Sequence, residues 1–307
     1  MRKRPLPTPL RYPGGKSKAI KKILPYCPNL QSVDTYYEPF LGGGSVALAV
    51  TKANPNIKVV VNDLYYPLYN FWTNLRDRGD EISDELIRIK RSHYTPDKAR
   101  QLFGISKGIL STGVYSKYSS MDLAICFWIV NKCSFSGLTE SSSFSESASN
   151  GNFTIQGIED LKEYSRLIKN WTITNCSYED VINKHVWEFK PGGRNLFYLD
   201  PPYEIESKLY GKKGNMHKGF DHDKFASECN NLKKDIDNFL VVSYNDCQSV
   251  QDRFPNWYAH SFDHTYTLRS NSKNYQTNQK ARKELLLTSY DPHLIPPRGF
   301  TRFTNKE

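Results

Sequence analysis

The sequence lacks any apolar run long enough to cross a bilayer. Its most apolar stretch, AICFWIV at Ala124 to Val130, is far short of the roughly 20 residues a spanning helix needs. That stretch reads as a buried core helix, and no membrane partner is expected. The N-terminal MRKRPLPTPLRYPGGK is basic but runs into prolines and glycines, without the apolar segment and small-residue cleavage site of a secretory signal. An intracellular protein is expected. Cysteine is sparse: Cys27, Cys126, Cys133, Cys176, Cys229 and Cys247 form no C-x-x-C pair and have no histidine at zinc-finger spacing. This disfavours a structural zinc and a disulfide framework. There is no internal repeat, and the one biased tract is the serine-rich Ser134 to Asn152.

What remains is a chain of 307 residues, long enough for one large domain or two modest ones. With 38% hydrophobic and 13% aromatic residues it is too apolar to be disordered. Lys and Arg number 42 against 32 Asp and Glu, a net charge of +10. That excess points to a polyanionic partner, with nucleic acid ahead of an acidic membrane surface.

Short apolar runs near residues 36, 59, 172, 197, 240 and 285, several separated by helix-like segments, predict an open α/β sheet. The stretch from about Arg76 to Lys169 interrupts it and reads as an inserted, mainly helical subdomain. Within that stretch Pro96 marks a helix start, Gly104 and Gly108 loosen the segment after it, and Ser134 to Asn152 predicts a long exposed loop or hairpin.

Two motifs carry chemistry. The first is the strand TYYEPF, followed by Leu41-Gly42-Gly43-Gly44 and a helical run from Ser45. Glycines between strand and helix let the backbone approach a ligand closely. Asp63 lies 21 residues past Gly42, at the end of the next strand, where an acid holds a ribose hydroxyl pair. No Lys-Ser or Lys-Thr follows the glycines, so a phosphate-cradling loop is not expected. The second motif is Asp200-Pro201-Pro202-Tyr203 after the strand NLFYL. Two prolines make a rigid loop at the carboxyl edge of the sheet. A carboxylate beside a proline carbonyl can accept both hydrogens of an amino group, and the tyrosine offers a face to an aromatic ring.

The ordered set LRYPGGKSK, YYEPFLGGGSV, NDLYYPLYNFW, NKCSFSGL, YLDPPY and RSNSK…KARKELLLTSY resembles the Dam-like DNA adenine-N6 methyltransferases of the alpha arrangement over Leu10 to Tyr290. The resemblance implies a Rossmann-like S-adenosylmethionine-binding catalytic domain at 1–75 and 170–307, with a target-recognition domain at 76–169. It implies cofactor contacts from Tyr12, Lys16, Phe40, Gly42, Gly44, Asp63 and Asp200, with Asp180 near the cofactor's adenine. The expected catalytic residues are Asp200, Pro201, Pro202 and Tyr203, acting on an adenine flipped out of double-stranded DNA. S-adenosylhomocysteine is the expected product, no metal is called for, and a monomer in the cytoplasm of a bacterium or phage-infected host is expected. The resemblance leaves open a partner restriction endonuclease, a phage role or a housekeeping one.

RNA and protein-amide methyltransferases on this fold usually present Asn where Asp200 stands; a non-catalytic DNA-binding relative is a further alternative. DNA contacts are expected from Arg76, Arg78, Lys90, Arg91, Lys98, Arg100, Lys208, Lys212, Lys213, Lys218, Arg269, Lys273, Lys280, Arg282 and Lys283. A mobile loop through Tyr210 and Gly219 is expected to order over the base. Relatives that read GATC carry a basic hairpin at Ser134 to Asn152, where this chain has Glu140 and Glu146 and neither Lys nor Arg. That departure argues against GATC as the target.

Overall fold

The computed structural model describes residues 7–137, 142–183, 193–203, 219–264 and 282–294. Its strands are β1 (Thr35–Glu38), β2 (Lys58–Asn62), β3 (Thr172–Thr174), β4 (Asn195–Leu199), β5 (Asn238–Asn245), β6 (Tyr258–His264) and β7 (Arg282–Thr288). They form one seven-stranded sheet in the order β3-β2-β1-β4-β5-β7-β6. The first five run parallel, and β7 is antiparallel to both β5 and β6. The Rossmann-like α/β sheet expected from the sequence is therefore present.

Runs such as VVV, NLFYL and FLVV form central strands because helices cover both faces, so both sides of the pleat must be apolar. Successive side chains divide between two cores. Tyr36, Val59, Val61, Leu196, Tyr198 and Leu286 join one, while Tyr37, Val60, Phe197, Leu199, Leu285 and Leu287 join the other.

The helices are α1 (Ile20–Ile23), α2 (Ser45–Ala53), α3 (Tyr66–Ser92), α4 (Pro96–Ser111), α5 (Ser120–Cys133), α6 (Glu146–Asn152), α7 (Ile155–Leu167), α8 (Tyr178–Ile182), α9 (His222–Leu232) and α10 (Gln248–Arg253). Helices α3 to α7 lie between β2 and β3 in the chain. Their large side chains, among them Phe71, Trp72, Phe127, Trp128, Ile158 and Leu161, share the first core with the sheet residues. Helix α3 leaves helical geometry at Arg78 (φ −135°, ψ 32°). Among the described residues no helix is long and apolar enough to cross a membrane.

Three elements differ from the sequence reading. The second half of the serine-rich tract is helix α6 and not an exposed loop. Ser145 caps it by accepting from Ala148 N, and the small Ala148 and Ser149 are buried, with the Cys133 thiol donating to the Ser149 hydroxyl. Small side chains let α6 seat closely on α5, and that burial outweighs weak helix propensity. The first half forms a bridge between Ser134 and Phe144, and the segment holding Glu140 is outside the described residues. Helix α4 runs unbroken through Gly104 and Gly108, held by buried Ala99, Phe103 and Leu110. Strand β6, with no apolar run, exists through its antiparallel pairing with β7.

Candidate active site

Strands β1, β2 and β4 end at one edge of the sheet with Glu38, Asn62 and Leu199. The chain steps outward from β1 through β2 to β3, then returns to the other side of β1 as β4. Such a reversal opens a crevice at the carboxyl ends of the strands, where open α/β sheets bind ligands. The loops after these strands hold Phe40 to Gly44, Asp63, and Asp200 to Tyr203.

The glycine turn is conformationally specific. Gly42 (φ 49°) and Gly44 (φ 65°) occupy the left-handed region that glycine enters without a steric penalty. A Cβ on Gly42 would lie 3.0 Å from the Tyr12 ring, and one on Gly44 would lie 2.7 Å from Trp72 Cζ2. Trp72 Nε1 donates to the Gly42 carbonyl at 3.1 Å, and the Thr8 hydroxyl donates to the Gly43 carbonyl. Asp63 accepts from Gly42 N and Tyr65 N, each at 2.9 Å. Burial pushes its carboxyl up to about 6 against those two amide donors. Asp63 thus anchors the turn itself while keeping further lone pairs for a ligand. Phe40 packs against Tyr178 of α8 at 5.4 Å and Phe220 at 5.8 Å between ring centroids. Asp180 is exposed on the same short helix, its amide capped by Ser177 Oγ.

The third loop meets the N-terminal segment. Lys16, 3% exposed, donates from Nζ to both oxygens of Asp200 at 2.9 Å and to Gly14 O at 3.0 Å. Its ammonium lies 4.8 Å from the centre of the Tyr203 ring. Pro201 is buried, and Pro202 and Tyr203 are half-buried. Two further acids complete the cluster. Glu38 accepts from the Tyr36 hydroxyl at 2.6 Å, and Glu284 of β7 accepts from the Tyr203 hydroxyl and lies 3.4 Å from Lys16 Nζ. Burial pushes the Asp200 carboxyl up to about 6, with the Lys16 charge opposing and Glu284 adding to the rise. Burial likewise raises Glu38 to about 8, opposed by the Tyr36 hydrogen bond and increased by Asp200. Three carboxyl groups around one ammonium favour a cationic ligand.

The structure thus joins Tyr12, Lys16, Gly42, Gly44, Asp63, Asp200 and Tyr203 into one chain of contacts along the sheet edge. Sequence reasoning assigned no role to Glu38, Trp72 or Glu284. Glu38 had a local signal, an acid closing an apolar strand. Trp72 and Glu284 reach the site only through the packing of α3 and β7.

Asn131, at the head of the NKCSFSGL motif, has no role assigned from sequence. Its buried side chain accepts from Arg11 N (2.9 Å) and donates to Arg11 O (2.7 Å) and Gly137 O (3.1 Å). It ties the loop bearing Tyr12 and Lys16 to the end of α5. Gly137 permits the approach: a Cβ there would sit 2.3 Å from Arg11 O.

Of the basic residues expected on DNA, Arg76 pairs with Asp77 and Arg78 with Glu81. Lys90, Lys98 and Arg100 lie over the rings of Phe153, Tyr94 and Phe144, while Arg91 and Lys283 are exposed. Lys208, Tyr210, Lys212, Lys213, Lys218, Arg269, Lys273 and Lys280 lie outside the described residues, as does the side chain of Arg282.

The family model described as D12 class N6 adenine-specific DNA methyltransferase matches residues 12–280, a span from Tyr12 past Asp200. A Type II methyltransferase of Methanocaldococcus jannaschii, M.MjaIII, is 24% identical over 215 residues, covering 65% of this chain and 70% of the relative. With the match extending over most of its length, the chain belongs to the D12 class N6 adenine-specific DNA methyltransferases.

Proposed function

We propose that methyl transfer takes place at the Asp200 loop, with Asp200 and the Pro201 carbonyl accepting the two hydrogens of the adenine amine and Tyr203 stacking on the base. The observation that carries this reading is the junction of Lys16 with Asp200, which ties the expected amine acceptor to the N-terminal segment whose Tyr12 packs on the glycine turn. An adenine amine is a weak nucleophile because its lone pair is delocalised into the ring. Acceptors that draw its hydrogens out of the ring plane localise that pair on nitrogen. The loop's two prolines hold the acceptors rigidly, so little reorganisation is needed as the reaction proceeds. Extracting the base from a duplex costs a few kcal/mol, which stacking on Tyr203 offsets in part.

The residues fit S-adenosylmethionine, the cofactor implied by the family. A Cβ at Gly42 or Gly44 would collide with Tyr12 or Trp72, so glycine at both positions lets the turn pack against those rings in its left-handed conformation. The surplus of carboxylates suits a cation. When bound, the cofactor supplies a methyl group already activated on a positively charged sulfonium. Tyr12, Phe40, Gly42, Gly44 and Asp63 would hold it, with Asp63 on the ribose. Pro202 serves the rigidity of the loop.

Residues 76–169 form the target-recognition part in this reading, and DNA other than GATC is the target. The kinship with a Type II methyltransferase supports a setting with a cognate endonuclease. A cytoplasmic monomer needing no metal completes the proposal.

The test is transfer of tritium from labelled S-adenosylmethionine to DNA and to RNA by the wild type and Asp200→Ala. Label in DNA from the wild type, and none from the variant at retained DNA affinity, is expected. Label in RNA alone, or unchanged turnover in Asp200→Ala, overturns the reading.

A further inference from the structure

We infer that Glu284 is a positioning residue for methyl transfer, giving Lys16 a second carboxylate to move to when the target amine takes the oxygens of Asp200. This rests on the reading of Asp200 as the amine acceptor. Glu284 is fully buried in β7, followed by Leu285, Leu286 and Leu287. A carboxylate in such a place is costly unless opposite charge and hydrogen bonds compensate it. The compensation lies in the active site: the Tyr203 hydroxyl donates to Glu284, and Lys16 Nζ stands 3.4 Å from Oε1. The antiparallel direction of β7 makes this possible. Its register sets Glu284 opposite Asn245, at the edge where the parallel strands end.

Lys16 has two carboxylates within reach and is held unequally by them, at 2.9 Å from both Asp200 oxygens and 3.4 Å from Glu284. An amine arriving as donor to Asp200 competes for oxygens that already accept from Lys16. A cation this buried cannot withdraw into apolar surroundings cheaply. Glu284 lets its hydrogen bonds pass from one carboxylate to another by a shift of a few tenths of an ångström, while Gly14 O holds a third donor direction. The same acid fixes the Tyr203 hydroxyl, so one residue sets both the stacking ring and the freedom of the amine acceptor.

Glu284→Gln removes the charge and keeps both the shape and an acceptor for Tyr203. Relative to wild type, kcat is expected to fall roughly tenfold or more, a larger factor than the rise in KM for S-adenosylmethionine that loss of one carboxylate brings, while DNA affinity and the unfolding midpoint stay near wild-type values. The acid limb of kcat/KM is expected to move to lower pH. The groups acting on Asp200 are Lys16, Glu284 and Tyr203, with Glu38 and Tyr198 close by, and only the repulsion from Glu284 is removed. Glu284→Asp, which keeps the charge at shorter reach, is expected to lose less kcat and to leave the acid limb in place. If Glu284→Gln does not fold, this second variant carries the test. Wild-type kcat in Glu284→Gln, a loss with no movement of the acid limb, or an Asp variant as impaired as Asp200→Ala overturns the proposal. An active Asp200→Ala would overturn the reading beneath it instead.

Discussion

Truncating Asn131 to alanine isolates the tie between the N-terminal loop and α5. The substitution removes three hydrogen bonds at a side chain with no exposed surface and leaves Arg11 N, Arg11 O and Gly137 O without that partner. A buried polar group left unsatisfied costs about 1 to 3 kcal/mol. Water entering the vacated space recovers part of this, so a loss of about 3 kcal/mol is expected for the set. In a chain of this size the melting temperature falls by about 2 °C per kcal/mol, or about 6 °C in thermal denaturation followed by circular dichroism. Asn131→Asp sharpens the result. Its carboxylate still accepts from Arg11 N but faces two carbonyl oxygens, while its protonated form can donate to one of them. Asn131→Asp is therefore more destabilised at pH 8 than at pH 5, whereas the alanine variant's loss changes little with pH. Because Tyr12 and Lys16 ride on the tied loop, both variants also raise KM for S-adenosylmethionine. A melting temperature within 1 °C of wild type in Asn131→Ala, or an Asp variant no more stable in acid, would refute the reasoning.

Other expectations concern charge and the glycine turn. With Asp200 at about 6 in the ligand-free protein, kcat/KM needs the ionised carboxylate and falls as the pH drops through that region; a profile flat down to pH 5 contradicts its role. Raised carboxyl values in the folded state stabilise the protein below the unfolded values near 4. That stabilisation is lost as pH rises through about 6 for Asp63 and Asp200 and about 8 for Glu38. The ligand-free melting temperature should then decline from pH 6 to pH 8, and Glu38→Gln should flatten the decline. Gly44→Ala adds a Cβ 2.7 Å from Trp72 to a residue at φ 65°, so cofactor affinity in calorimetry should drop at least tenfold; wild-type affinity would show the turn to be pliable.

Much of the sheet edge was legible because the signals were local. Apolar runs marked β1, β2, β4, β5 and β7, and the residues just past their ends included Asp63 and Asp200. Lys16 entered through the motif resemblance, since a basic turn by itself reads as a solvated surface. Where pairing between distant segments decides the structure, the local signal failed. Strand β6 depends on β7, α6 depends on the groove it fills beside α5, and Glu284 acquires meaning only once β7 runs antiparallel beside β5. Asn131 opens the NKCSFSGL motif, but its role is not legible there because its three partners belong to two separate loops.

The Lys16, Asp200 and Glu284 contacts draw on the beginning, the middle and the end of the chain. At synthesis rates of 5 to 20 residues per second, on the order of 15 to 60 s separate initiation from the emergence of β7. During that interval a nascent chain carries the glycine turn and the Asp200 loop, but Tyr203 and Lys16 lack their contacts with Glu284. Ribosome-bound and prematurely terminated chains should therefore methylate poorly, which confines the marking of DNA to polypeptides that have completed β7.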